Sequence, residues 1–349
     1  MLTSLKLRDF RAFPTLECEF APGLNVIVGP NAQGKTSLLE AACVLLRLQS
    51  PRSASLSTLV RIGANGFVLD GFYAGAHLQF YASARRRKLA LDSVVQTRTA
   101  HYLERGRVVW FSNADMALVR GPAEERRRYL DFLASQLHPL YRRHLRAYER
   151  ALRSRNQLLR APVLRWREID AFDEPLAAAG NAIHAIRAEL AAELFPDAAA
   201  AHRAISDAAG ETLTLEYQPG HQGDLAAALA ENRETSVRLR QTTVGPHRDD
   251  LLLRLDGLGS DLASEGQQRT IALALRLAQA ARITRAEGRP PLFLLDDIFG
   301  ELDLRRRNAL LAAFPAGAQQ IVTTTHLHWA TPVAIERTFD LSGGTLRRR

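Results

Sequence analysis

Over most of the first 110 residues, short apolar-polar alternations are separated by turn residues, so this stretch is expected to be mainly strands. One segment departs from that pattern. Residues 35–47, containing SLLEAACVLL, are apolar at helical spacing and predict a helix. From about 123 to 209 the period changes to three and four residues. EERRRYLDFLASQLHPLYRRHLRAYERALRSRNQLLR and DEPLAAAGNAIHAIRAELAAELF, parted by a proline-containing break, carry arginines away from their apolar stripes, as amphipathic helices do. Strands return from about 211 at TLTLEY and DLLLRLDG. Ile271, Leu273, Leu275 and Leu277, with alanines between them, then predict a largely buried helix with Ser264 as its N-cap. PLFLLDDIF reads as a buried strand, a helix follows from about 304, QQIVTTTH is another strand, and FDLSGGTLRRR closes as a hairpin. This order predicts an α/β fold: 1–110 and 211–349 form one lobe, and 111–210 a helical insertion lobe.

The chain has 349 residues, 46% of them hydrophobic, enough for a sizeable core. No apolar run reaches 18 residues, so no membrane span is expected. The opening MLTSLKLRDFRAF alternates like a strand and carries Asp9, unlike a signal peptide. Cys18 and Cys43 lack disulfide or metal spacing, which suits a reducing, cytoplasmic setting. The formal charge of +9 is carried almost wholly by arginine; the lysines are Lys6, Lys35 and Lys88. A GC-rich genome accounts for arginine over lysine, but the excess of positive charge points to a polyanionic partner such as nucleic acid. Candidate contacts are the runs Arg85–Arg86–Arg87–Lys88, Arg126–Arg127–Arg128, Arg142–Arg143 and Arg305–Arg306–Arg307. No base-reading element is evident, so binding is expected to be to phosphates and insensitive to sequence.

GPNAQGKTS, from Gly29 to Ser37, matches the phosphate-binding loop pattern and sits between an apolar strand and a helix, as that loop requires. The segment Gly29, Pro30, Asn31, Ala32, Gln33, Gly34 is expected to wrap its N–H groups around a nucleoside triphosphate. Lys35 would reach the β- and γ-phosphate oxygens, and the Thr36 hydroxyl would hold Mg²⁺, with Ser37 completing the loop. At the end of LFLL, Asp296 supplies the carboxylate for the magnesium site, and Asp297 is placed to activate the attacking water. His326, after the strand QQIVTTT, is a candidate γ-phosphate contact.

ASEGQQRTIALALRL, 263–277, puts Ser264, Gly266 and Gln267 at a helix mouth, an arrangement that presents N–H groups and amides to an anion. The first helix already surrounds one nucleotide, so the second is best used on the triphosphate of another copy. That implies an isologous, ATP-dependent homodimer. Glu265, beside the incoming charge, is expected to point away.

These ordered motifs resemble ABC-type P-loop ATPase heads. LRDFRAF, FSNADMALV, EERRRYLD, GPHRDDL and LDDIFGELD, spread in order over nearly the whole chain, are similar to the RecF family. The resemblance implies binding of double-stranded DNA and ss/dsDNA junctions, and partnership with RecR and RecO in loading RecA. Because Asp297 stands where transporter ATPases carry glutamate, it also implies slow hydrolysis. No Q-loop glutamine is evident, since Val109, Trp110 and Phe111 occupy its expected region. Three other readings share the motifs: a transporter nucleotide-binding subunit, which the arginine-laden insertion fits poorly; an SMC-like coiled-coil machine, which needs hundreds of heptad residues between loop and signature that this sequence lacks; and a DNA-binding scaffold whose ATP holds the dimer without turnover.

Overall fold

The computed structural model describes every residue except Ala54, 207–209 and 331–333. The expected end of the helical block at 209 therefore lies outside the described residues. The first elements are β1 (Leu2–Phe10), β2 (Phe13–Glu19), β3 (Leu24–Val28), α1 (Lys35–Arg47), β4 (Gly66–Tyr73), β5 (Ala76–Ser83), β6 (Arg87–Leu91), β7 (Val94–Gln96), α2 (Thr99–Leu103) and β8 (Val108–Ser112). There follow α3 (Met116–Arg120), α4 (Ala123–Leu137), α5 (Tyr141–Leu159), α6 (Trp166–Asp170), α7 (Asp173–Ile205), β9 (Leu213–Gln218), α8 (Leu225–Glu231), α9 (Arg233–Leu239), β10 (Asp250–Leu255), β11 (Leu258–Gly259) and α10 (Glu265–Glu287). The last are β12 (Leu292–Asp296), α11 (Leu304–Ala313), β13 (Gln320–Thr324), β14 (Arg337–Ser342) and β15 (Thr345–Arg348).

The chain divides into two compact units: 1–115 with 204–207 and 279–349, and 116–203 with 208–278. In the first, two sheets run in the orders β2-β1-β4-β5-β6-β7 and β15-β14-β3-β13-β12-β8. The first is antiparallel throughout, whereas β14, β3, β13, β12 and β8 pair in parallel. Between the sheets runs α1, which touches strands of both. This double contact explains why nearly every residue from Leu38 to Leu46 is apolar and buried: a helix with no solvent face has no polar stripe. One buried polar side chain on it, Glu40, is met by the guanidinium of Arg11 in a bidentate pair, 2.8 Å on each arm, and by the Ser50 hydroxyl. Arg11 lies in the β1–β2 turn, so LRDFRAF anchors the helix to the antiparallel sheet.

The second unit holds α4, α5, α7 and the three-stranded sheet β11-β10-β9. Here the structure differs from the expected division, which placed everything from 211 onward with the strands. Residues 211–278 instead pack with the helical block, because Asp249 and Asp250 at the start of β10 bond to arginines of α4 and α7. The Tyr129 hydroxyl of α4 likewise donates to the Leu275 carbonyl of α10 at 2.6 Å. Two helices, α8 and α9, also interrupt what read as a strand-to-strand connection. The local signal was present: Asp224 caps α8, its carboxylate accepting from Ala226 and Ala227 N–H, and the helix itself is largely alanine and leucine.

Candidate nucleotide site

Parallel pairing brings the loop and the carboxylates together. Strand β13 lies between β3 and β12, with Thr324 opposite Val28 and Thr323 opposite Asp296, so all three strands end at the same edge. From there the chain turns into the phosphate-binding loop, tied down where Gly29 N–H donates to the Thr324 carbonyl at 3.2 Å. Two positions accept only glycine. A Cβ at Gly29 would lie 2.2 Å from the Leu341 carbonyl oxygen, and Gly34 has φ +94 with Phe13 2.6 Å from where its Cβ would be. Ala32 also takes a positive φ, of 63°, while Pro30 and Asn31 are exposed at the tip. Gln33 braces the loop by accepting a hydrogen bond from Gly343 N–H at 2.8 Å.

Lys35 is buried, and its ammonium donates to the carbonyls of Gly29 (2.5 Å) and Pro30 (2.9 Å). Burial lowers its pKa, against the opposing pull of Asp297 and Asp296. The Thr36 hydroxyl and the Thr323 hydroxyl each donate to Oδ1 of Asp296 at 2.8 Å. Burial raises the Asp296 pKa, partly offset by those two bonds. A hydroxyl and a carboxylate held edge to edge at a helix start are two hard oxygen donors, the set Mg²⁺ takes beside phosphate and water. The residues thus fit a magnesium nucleotide. Asp297 follows in a left-handed conformation, φ 52, with its N–H shared between the carbonyl and hydroxyl of Thr323. Its pKa is also raised by burial, with Lys35 opposing and the neighbouring Asp296 and Glu301 reinforcing. His326 is exposed just beyond β13, within electrostatic reach of Asp297. Ser37 sits half-buried in the first turn of α1.

Val109, Trp110 and Phe111 are core residues of β8, buried because that strand pairs with β12. The position level with Asp296 is Ser112, and the next side chain, Asn113, donates to Glu301 at 2.6 Å. An asparagine amide thus stands at this strand end, which a search for glutamine does not find.

Ser264, Gly266 and Gln267 belong to the second unit. Besides presenting amides at the helix mouth, the two glutamines here have structural partners. Gln267 N–H donates to the Ser264 hydroxyl at 3.3 Å, and Ser264 N–H donates to the Gln267 side-chain oxygen at 2.8 Å, a reciprocal cap of the helix start. The Gln267 amide also donates to Glu211 at 2.9 Å, while the Gln268 amide donates to the carbonyls of Asp261 and Ala263. Glu265 is exposed and pairs with Arg269 of its own helix at 3.2 Å.

Comparison with known proteins places the whole chain. An AAA domain model covers residues 4–98. The DNA replication and repair protein RecF of Symbiobacterium thermophilum is 37% identical, the alignment spanning 93% of this chain and 92% of that protein. This chain belongs to the RecF family. A solved recombination mediator protein RecF with ATP is 27% identical, with a TM-score of 0.88 over 100% of this chain and 97% of that one. An Smc head bound to the C-terminal winged-helix domain of ScpA, 14% identical at a TM-score of 0.56, shares the fold. The fold is that of an ABC-type ATPase head, as expected.

Two RecF-like stretches of the second unit, EERRRYLD and GPHRDDL, prove to be bonded to each other. Arg126 clasps the Asp250 carboxylate on two arms, 2.6 and 2.9 Å, and Arg127 donates to the Asp249 carbonyl at 2.7 Å. From α7, the buried Arg187 donates to Asp249 at 2.7 Å, to Asp131 at 2.8 Å and to the Pro246 carbonyl at 2.7 Å. Tyr141 donates to Asp131, and Tyr217 and Gly220 N–H complete Asp249. Burial opposes the charge on Arg187, but Asp131 and Asp249 beside it raise its pKa. His247 shares a 2.6 Å bond with the Tyr148 hydroxyl, and burial pushes its pKa down to about 4. Arg126 and Arg127, expected as DNA contacts, are therefore consumed inside the unit. Arg128 is exposed and pairs with Glu124 and Glu125.

Proposed function

We propose that this chain is an ATP-switched DNA-binding protein: ATP binding drives homodimerisation, and the dimer holds duplex DNA. The observation that carries the reading is the meeting of Thr36 and Asp296 at the edge where the glycine-lined loop also ends. Gly29 to Ser37 cradle the triphosphate, with Lys35 turning its ammonium from the loop carbonyls to the β- and γ-phosphate oxygens. Thr36 and Asp296 hold Mg²⁺, which when bound offsets charge on the phosphates. Asp297, its pKa raised by burial, takes the proton of the attacking water; its short side chain makes turnover slow. His326 contacts the γ-phosphate. Ser264, Gly266 and Gln267 close the partner copy's site, for which Gln267 must exchange its contact with Glu211.

DNA is bound without regard to sequence, as duplex beside single-strand gaps, and the partners are RecR with RecO in RecA loading at a cytoplasmic site of repair. The relatives' roles in DNA replication and repair and in the RecFOR pathway support this. Lys35→Met is expected to abolish ATP-dependent dimerisation, measured by sedimentation with saturating ATP; a normal dimer would sink the assignment. Ser264→Arg should keep ATP binding by the monomer but lose dimerisation and hydrolysis. If that variant dimerises and turns over normally, the signature helix does not act across the dimer.

A further inference from the structure

The strongest unassigned surface lies on α5. Its buried residues, Tyr141, Tyr148, Ala151, Arg155 and Leu159, define one face. On the other, Arg143, Arg146, Arg150 and Arg153 recur at steps of three and four and are all exposed, and Arg160 caps the end of the helix in line with them. Arg240, from the end of α9, joins the row there by donating to the Arg160 carbonyl at 3.5 Å. The acids in this neighbourhood are already engaged or weakly opposed. Glu168 pairs with Arg165, Asp170 with Arg233, and Glu149 approaches Arg153 only to 3.9 Å. A row of guanidiniums with so little compensation costs mutual repulsion, which a polyanion laid along it would relieve.

We propose that this arginine row on α5 is a docking surface for the phosphate backbone of duplex DNA. The proposal deepens the DNA-binding reading above and rests on it. From Arg143 to Arg160 the row spans 17 helical steps, roughly 25 Å at about 1.5 Å each. That length matches roughly seven phosphates of one strand at about 3.4 Å of axis each. The chemistry of the row also selects the form of nucleic acid. Single strands are held by aromatic platforms on which bases stack, and the two aromatic residues of α5, Tyr141 and Tyr148, are both buried with their hydroxyls engaged inside the unit. The row itself presents guanidiniums, with Glu149 and Gln157 exposed beside them, a surface fit for phosphate and blind to bases. The runs named from the sequence caught only Arg143, because a helical row is never consecutive in the chain.

The test uses the full-length chain with ATP, a blunt 30-base-pair duplex and a single strand of one of its sequences. Arg143→Ala, Arg146→Ala and Arg150→Ala combined should weaken duplex binding at least about 10-fold near 0.1 M salt. The slope of log affinity against log salt should fall by about 0.9 for each arginine removed. ATP binding and the melting temperature should stay at wild-type values, and the same three positions as lysine should restore most of the slope. If wild-type protein binds no duplex under any salt, the DNA-binding reading itself fails. If wild type binds and the triple alanine variant binds equally with the same slope, that reading stands and the α5 proposal is overturned. Equal losses for duplex and single strand would overturn the duplex assignment. A triple variant that melts early is judged by the lysine variant, whose failure to restore the slope would also overturn it.

Discussion

Lys35, Asp296 and Asp297 in the first unit, and Arg187, Asp131 and Asp249 in the second, are each a cation gathered with two carboxylates. Around Arg187 every arm of the guanidinium has a protein partner, Asp249 is bonded on both oxygens by Arg187, Tyr217 and Gly220 N–H, and Asp131 accepts from Arg187 and Tyr141. Around Lys35 the arrangement is provisional. The ammonium rests on two carbonyls of its own loop, and both aspartates have pKa values raised by burial, so the charged form of each is under strain. The difference teaches how like inventories serve unlike ends. A completed set of charge-assisted bonds fixes the packing of helices and strand, whereas an incomplete one at a strand edge stays ready for a ligand.

The sharpest break in that comparison comes from Asp297→Asn. Turnover should fall by about 10²- to 10⁴-fold, the usual worth of a positioned base, while the ATP-dependent dimer persists and the melting temperature holds or rises. Single-turnover hydrolysis checks it, and unchanged hydrolysis would move the base elsewhere. Arg187→Met should act the other way, costing about 3–5 kcal/mol of stability because it strands the buried Asp249 carboxylate and removes the partner of the half-buried Asp131. Denaturant midpoints measure it; a loss under about 1 kcal/mol would mean the cluster is not closed as described.

A smaller effect sharpens the second cluster. The folded pKa of His247, about 4, lies below its ordinary value of 6.5, so between these limits the unfolded chain binds more protons. The stability it supports is whole above pH 6.5 and is lost as pH falls toward 4, by on the order of 3 kcal/mol at most. Unfolding midpoints of His247→Gln should show a shallower slope across that window than wild type. Equal slopes would assign the acid sensitivity to other groups, such as His202 and His221, whose pKa values burial also lowers.

What the sequence determined alone was local and contiguous: the phosphate-binding loop in its strand-to-helix setting, the aspartate pair after LFLL, the helical period that begins near 123 and the closing hairpin. In each case neighbouring residues carry the signal, through backbone freedom at Gly34 or through hydrophobic spacing. Tertiary structure decided what depends on partners far along the chain. Arg126 and Arg127 read as surface charge until Asp249 and Asp250, more than 120 residues later, absorbed them. The same pairing drew residues 211–278 to the helical unit, and Glu211 gave Gln267 a bond that no local pattern foretells. A charged side chain looks alike in sequence whether it faces solvent or a buried counter-ion, and only the fold decides between them.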